Sequence, residues 1–138
     1  MLAENGLSYI VLGGSADRLV ANRLASAAGG ISLAGQTSLV ESAAVLSKSR
    51  LLIANDSGLL HIAVGLGVPT VGIFGPSNPE KWGAKGPKDS IVGSFSECSP
   101  CSRYGFMPKC DKGLVCFNEI TVDMVFDQVR RLCQELDS

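Results

Sequence analysis

The chain has 138 residues, of which 12 are Lys or Arg and 13 are Asp or Glu, for a formal net charge of −1. This length predicts a single domain over residues 1–138. The charge balance excludes a protein that grips nucleic acid through bulk positive charge. Hydrophobic residues make up 46% and charged residues 18%, which excludes a disordered chain.

No segment has the length of a membrane span or the pattern of a targeting signal. The longest apolar stretches, at residues 9–12, 51–54 and 71–74, are far shorter than the roughly 20 residues that cross a bilayer. Residues 1–5 have neither the basic nor the apolar region of a signal peptide. The sequence therefore predicts a cytoplasmic protein.

Short apolar runs alternate with helical stretches along the chain. Strands are predicted at residues 8–12, 31–33, 50–54, 70–74 and 89–93. Helices are predicted at residues 16–28, from 37 onward, at 58–66 and at about 122–136. Ser38 and Glu41 have the spacing of a capping box, and Thr121 is the predicted N-cap of the last helix.

Strands that are apolar on both faces and alternate with helices predict an α/β, Rossmann-like fold, in which a parallel sheet has helices on both faces. Ligands of such sheets bind beyond the carboxyl ends of the strands. The loops at residues 13–17, 35–38, 55–58 and 75–83 follow predicted strands, and three of them combine glycine with small polar residues. We expect backbone in these loops to approach phosphate or sugar.

The strongest local signal is the run NDSGLLH at residues 55–61, which joins a buried strand to a helix. The first turn of a helix has unpaired N–H groups and the positive end of the dipole. Asp56, Ser57 and Gly58 would let a phosphate approach this turn closely, and His61 would face the same ligand. In the alternative interpretation, Asp56 or Ser57 is an ordinary N-cap and His61 only fills space.

Two further loops contain weaker candidates. Gly14 and Asp17 follow the first strand, and Asp17 fits either a carboxylate for ribose hydroxyls or a first-turn acid favoured by the helix dipole. Ser77 lies in the run GPSNP at residues 75–79, where two prolines and a glycine fix the loop. Ser77 is either a ligand contact or part of a rigid turn.

At residues 55–79 the run NDSGLLHIAVGLGVPTVGIFGPSNP closely resembles the signature of glycosyltransferase family 9, the ADP-heptose:lipopolysaccharide heptosyltransferases. The run IVLGGSADR at residues 10–18 resembles the nucleotide-binding strand and turn of that family. Residues 33–58 resemble its next helix and strand. The resemblance covers essentially the whole chain, with the segments in the same order.

The resemblance implies the GT-B architecture, in which two Rossmann-like domains face a cleft, and this chain resembles the C-terminal, nucleotide-sugar-binding domain. Asp56, Ser57 and Gly58 would lie beside the diphosphate and sugar of an ADP-heptose-like donor, with His61 one turn on and Asp17 at the ribose. Gly14 and Ser77 complete the expected binding residues. The implied reaction is inverting and needs neither metal nor cofactor, because an acceptor hydroxyl displaces the nucleoside diphosphate directly.

The chain departs from the family pattern in extent. A full-length member is more than twice as long, and neither its acceptor domain, which carries the aspartate used as general base, nor its opening βα unit has a counterpart before Ser8. A general base contributes about 10²–10⁴-fold to the rate. We therefore expect no catalytic residue in this chain and no transfer by the chain alone.

These departures also lead to expectations about partners. We expect a missing N-terminal acceptor domain, a homodimer through an open sheet edge and, in the full-length context, a peripheral position at the inner membrane face. The alternative function is a non-catalytic binding or interaction module, or a gene fragment of the same fold.

Four of the five cysteines lie in a Cys-rich loop at residues 98–116, namely Cys98, Cys101, Cys110 and Cys116. Four thiolates can form a tetrahedral zinc site, but only the first pair has C-x-x-C spacing. We therefore expect reduced thiols or an occasional disulfide rather than a metal site.

Two groups of residues near these loops have open roles. Trp82, with Lys81 and Lys85 nearby, either lines a sugar or base pocket or is a partly exposed loop residue. The second group lies near the cysteines and either meets an anionic partner or forms a solvated surface. It consists of Arg103, Tyr104, Lys109 and Lys112.

Overall fold

The computed structural model describes residues 6–94, 96–103 and 105–137. Residues 1–5, where the sequence predicts no signal peptide, lie outside this part, as does Tyr104. The chain divides into two compact units, Met1–Val45 and Leu46–Ser138, and each contains a parallel sheet. The single domain over the whole chain stays a prediction.

The first unit contains a two-stranded parallel sheet in which β1 (Ile10–Val11) pairs with β2 (Ile31–Ser32). A 3₁₀ turn (Ser15–Asp17) leads into α1 (Arg18–Ala28), which packs on both strands. Gly29 ends this helix in the left-handed conformation, with φ of 70°, which glycine adopts without steric cost. Both strands are confirmed, although each is shorter than predicted.

Helix α2 (Leu39–Ser47) begins at the predicted capping box. The Ser38 amide donates to Oε2 of Glu41 at 2.7 Å, and the Glu41 amide donates to Oγ of Ser38 at 3.3 Å. The hydrogen bonds from the backbone and then the hydroxyl of Ser38 lower the pKa of Glu41. The capping interpretation of Ser38 and Glu41 is therefore confirmed.

The second unit is built on a three-stranded parallel sheet with β4 in the centre. The strands are β3 (Leu52–Asn55), β4 (Thr70–Phe74) and β5 (Asp89–Gly93). Thr70, Val71 and Gly72 are consecutive and all buried, and successive side chains point to opposite faces. Both faces of β4 are therefore covered, as predicted.

The helices in the described part of this unit are α3 (Gly58–Gly65), α4 (Pro79–Trp82), α5 (Val115–Asn118) and α6 (Val122–Leu136). Helix α3 packs on β3 and β4, and α6 packs on β4 and β5. Oγ1 of Thr121 accepts a hydrogen bond from the Met124 amide at 3.2 Å, which confirms the predicted N-cap. None of the helices described is both long and apolar enough to cross a membrane.

The Cys-rich loop is attached to the loop that leaves β4. The amides of Cys101 and Ser102 both donate to the carbonyl oxygen of Pro76, at 3.0 and 2.9 Å. Oγ of Ser99 donates to the carbonyl oxygen of Gly75 at 2.6 Å. These contacts hold the Cys-rich loop at the carboxyl end of the sheet, where the sequence predicts ligand binding.

Candidate functional site

The turn from β3 into α3 contains Asp56, Ser57 and Gly58. The Asp56 amide donates to the carbonyl oxygen of Ile73 at 3.3 Å, which fixes the start of the turn to β4. Ser57 occupies the N-cap position in an extended conformation, but its side chain accepts no hydrogen bond from the helix. The first-turn N–H groups of α3 therefore have no cap from Ser57, and they are the donors that a phosphate would use.

Gly58 leaves open space at the amino end of α3. A methyl group on its Cα would meet no other atom within 4 Å. Packing within the chain therefore does not require glycine at this position. The absence of a side chain leaves the amides of this turn accessible from outside the chain.

Asp56 and His61 lie together on the same surface. Nε2 of His61 is 3.4 Å from Oδ1 of Asp56, and the two side chains are 47% and 22% exposed. The His61 ring also meets the Trp82 ring edge-on, with centroids 6.1 Å apart and planes at 63°. Trp82, whose role the sequence left open, therefore lies beside the predicted residue His61.

A first cavity of about 220 Å³ opens at the carboxyl ends of β3 and β4. Asp56 and Ser77 both line it, so the structure brings these two predicted residues together. The Cys-rich loop adds Ser102 and Met107, and α5 adds Phe117. Complete small-molecule sites measure roughly 300–1,000 Å³, so this cavity fits a part of a ligand such as one sugar ring.

Sequence reasoning missed the residues that the Cys-rich loop and α5 contribute to this cavity. Ser102, Met107 and Phe117 follow no local motif, because their position depends on contacts with a loop more than twenty residues earlier. The glycine at position 75 is one signal in the sequence, because it lets the Phe117 ring pack closely against the loop that leaves β4. A methyl group at Gly75 would lie 2.8 Å from the Phe117 ring.

A second cavity of about 250 Å³ lies beside the first, and Ser102 lines both. Its other walls include Lys81, Trp82 and Arg103. Nζ of Lys81 lies 4.7 Å from the centre of the Trp82 ring, which is within the range of a cation–π contact. Oδ1 of Asn78 accepts hydrogen bonds from the amides of Glu80 and Lys81, and these bonds fix the start of α4.

Within the first unit, Asp17 has a local structural role. Its Oδ2 accepts a hydrogen bond from the Gly14 amide at 2.8 Å, and the side chain is exposed. The Gly35 amide donates to the carbonyl oxygen of Gly13 at 2.9 Å, and Arg18 donates to that of Gly35. The predicted loops at the ends of β1 and β2 therefore meet, whereas a contact of Asp17 or Gly14 with ribose stays a prediction.

The cysteines are present as free thiols. Burial raises the pKa of Cys116, and the nearby thiols of Cys101 and Cys98 raise it further. Cys110 is exposed, and its sulfur accepts a hydrogen bond from the Leu114 amide at 3.3 Å. Over residues 6–94, 96–103 and 105–137, no three His, Cys, Asp or Glu side chains are placed to hold a metal ion.

The model of glycosyltransferase family 9 (heptosyltransferase) matches residues 1–110 of this sequence. The chain belongs to glycosyltransferase family 9. Among curated relatives, lipopolysaccharide heptosyltransferase 1 of Pseudomonas aeruginosa is 40% identical over 101 residues, which are 72% of this chain and 28% of the relative. The chain therefore spans only part of the length of the heptosyltransferases that it matches.

Two solved structures support the fold. That of E. coli ADP-heptose lps heptosyltransferase II matches 99% of this chain with a TM-score of 0.78 and 23% identity, and the match covers 39% of that protein. That of E. coli heptosyltransferase WaaC with ADP matches 65% of this chain with a TM-score of 0.60 and 27% identity, and covers 28% of that protein. The α/β, Rossmann-like class predicted from the sequence is confirmed.

Proposed function

We propose that the chain binds the nucleotide-sugar donor of a heptosyltransferase-like enzyme of lipopolysaccharide core synthesis. The observation that carries this proposal is the first turn of α3, which has no cap from the Ser57 side chain and has open space at Gly58. Such a turn presents N–H donors and a positive dipole end to a diphosphate. The similarity to E. coli heptosyltransferase WaaC, solved with ADP, supports an adenine nucleotide as the ligand.

The neighbouring side chains have distinct roles in this proposal. The diphosphate accepts hydrogen bonds from the amides at Gly58 and from the Ser57 hydroxyl. The Asp56 carboxylate, which is 22% exposed and lines the first cavity, accepts hydrogen bonds from hydroxyls of the donor sugar. His61, held 3.4 Å from Asp56, borders the same ligand, and Ser77, which also lines the first cavity, contacts the sugar.

The chemistry of transfer makes the diphosphate the centre of the site. As the acceptor oxygen displaces it at the anomeric carbon, negative charge grows on the leaving diphosphate. Fixed N–H groups stabilise that charge without reorganising. In this proposal the side chains of Asp56, Ser57, His61 and Ser77 contact the donor. The base for the acceptor hydroxyl comes from outside the chain. We therefore propose that the chain transfers no sugar alone and works with an acceptor domain.

Binding of the donor is tested by calorimetry on the folded chain with ADP, UDP and an ADP-sugar. We expect millimolar or tighter binding of ADP and weaker binding of UDP. Asp56→Ala should lower the affinity for the ADP-sugar more than that for ADP, because the carboxylate contacts the sugar. Lys48→Gln is the control and should bind as the wild type does, because Lys48 precedes β3 and so lies toward the amino end of the sheet.

The outcomes separate donor binding from the alternative function. If a chain with native circular dichroism binds neither nucleotide, the donor-binding proposal fails and an interaction module is favoured. If ADP and ADP-sugar lose equal affinity in Asp56→Ala, the sugar contact assigned to Asp56 is wrong. Size-exclusion chromatography at several concentrations tests the homodimer that an open sheet edge would allow.

A further inference from the structure

The second cavity of the Leu46–Ser138 unit combines two cations with an aromatic ring. Lys81 and Arg103 give its lining a formal charge of +2, and none of its lining residues is acidic. The Lys81 ammonium group lies 4.7 Å from the centre of the Trp82 ring, which holds the charge at the cavity wall. Asn78 and Ser102 add polar groups to the same lining.

This cavity adjoins the candidate donor site and shares one lining residue, Ser102, with the first cavity. The Trp82 ring also meets the His61 ring at 6.1 Å. A ligand that occupies the first cavity can therefore extend a charged group into the second. The first cavity contains the Asp56 carboxylate, which repels anions, whereas the second attracts them.

The chemistry of the lining favours a phosphoryl group over other anions. A diphosphate carries about two or more negative charges and several strong acceptor oxygens, so it can contact both Lys81 and Arg103, whereas a carboxylate has one charge and two oxygens. Guanidinium and ammonium groups form short, charge-assisted hydrogen bonds with phosphate oxygens. The Ser102 hydroxyl is a further donor at the border of the two cavities.

We propose that the second cavity is a phosphoryl subsite, in which Lys81 and Arg103 bind a phosphate group of the ligand. Assigning that phosphate to the donor rests on the proposed function, whereas the affinity of the cavity for phosphate does not. The subsite supplies positive charge that the α3 turn, with only amide dipoles and a hydroxyl, does not supply.

Trp82 is the single tryptophan of the chain, so its fluorescence reports directly on this cavity. The folded chain is titrated with pyrophosphate at constant ionic strength, with sodium chloride as the reference titration. We expect a saturable change in emission for pyrophosphate and none for chloride. Lys81→Gln and Arg103→Gln should each weaken the apparent affinity about five- to tenfold, because each removes one charge-assisted contact. Lys81→Arg should retain the affinity for pyrophosphate, because it keeps the positive charge.

Lys88→Gln is the matched control. Lys88 directly precedes β5, and its carbonyl oxygen accepts from the amide of Thr70 at the first residue of β4. It therefore lies at the amino end of the sheet, away from both cavities, and pyrophosphate affinity should be unchanged in this variant. A response that does not saturate, or equal affinity in wild type and both glutamine variants, would overturn the subsite.

Adding ADP identifies where the phosphate comes from. If ADP and pyrophosphate compete, the phosphoryl group in the subsite belongs to the donor. If both bind at once, it belongs to a second phosphorylated ligand. If pyrophosphate binding requires Lys81 and Arg103 but no nucleotide binds, the phosphoryl subsite is supported and the proposed donor function fails.

Discussion

Replacing Gly58 by alanine separates a ligand-binding turn from an ordinary helix start. At the first position of α3, the added methyl group meets no atom within 4 Å apart from its chain neighbours and the backbone of its own helix. Alanine has less conformational freedom in the unfolded chain than glycine, which stabilises a compatible site by about 0.4–1 kcal/mol. We therefore expect Gly58→Ala to unfold at a slightly higher urea concentration than the wild type.

In the proposed complex, the same methyl group would occupy the space through which a phosphate oxygen reaches the first-turn amides. Loss of one hydrogen bond to a charged group costs about 1.5–3 kcal/mol, so the dissociation constant for ADP should rise about 10- to 150-fold. Calorimetry with ADP and urea unfolding, measured on the same preparation, give both quantities. A stabilised Gly58→Ala chain that binds ADP like the wild type would refute close approach at this turn.

Gly65 provides the control within the same helix. It ends α3, and a methyl group there also meets no atom within 4 Å. Gly65→Ala should therefore affect stability alone and leave the affinity for ADP unchanged. If Gly65→Ala weakened binding as much as Gly58→Ala, the loss would come from the helix as a whole and not from its first turn.

Three further predictions concern the capping residues and the thiols. Because Ser38 lowers the pKa of Glu41 below its usual 4.5, the stabilisation by this carboxylate is complete above about pH 4.5 and is lost as the pH falls through the lowered value. Urea unfolding of Glu41→Gln should therefore differ most from the wild type near neutral pH and converge with it in acid. Thr121→Ala should cost about 0.5–2 kcal/mol in the same assay, since it removes the N-cap of α6; an unchanged midpoint would contradict that role. In native iodoacetamide labelling followed by peptide mass spectrometry, Cys110 should react well before Cys116, which is buried and has a raised pKa, and equal rates would contradict the packing of α5.

The elements predicted best are those whose signals are local. β4, β5 and α6 have the predicted bounds, because apolar runs end at glycine or proline and Thr121 caps the last helix. β1 has two residues instead of five, since ladder length depends on its partner β2. Helices α4 and α5 were missed because four residues are too few to show a helical period.

In the candidate site, too, the features set by a local sequence pattern could be predicted and those set by distant contacts could not. The turn at Asp56, Ser57 and Gly58 could be predicted, because a buried strand followed by small residues and a helix is a contiguous pattern. The cavity that Trp82 and Arg103 line could not, since Arg103 reaches it through the folding of the Cys-rich loop onto the sheet. That arrangement is set by backbone contacts between segments distant in sequence.

The attachment of the Cys-rich loop to Pro76 has a consequence for how this scaffold diversifies. Two of the three anchoring bonds are donated by main-chain amides, at Cys101 and Ser102, so the hydroxyl of Ser99 is the side chain on which the described anchoring bonds depend. A segment that retains Ser99 can therefore change at other positions, or be exchanged between homologues, and remain attached to the carboxyl end of the sheet. Each exchange would replace walls of both cavities at once, so grafting residues 98–117 from another family member offers a direct route to altered ligand preference.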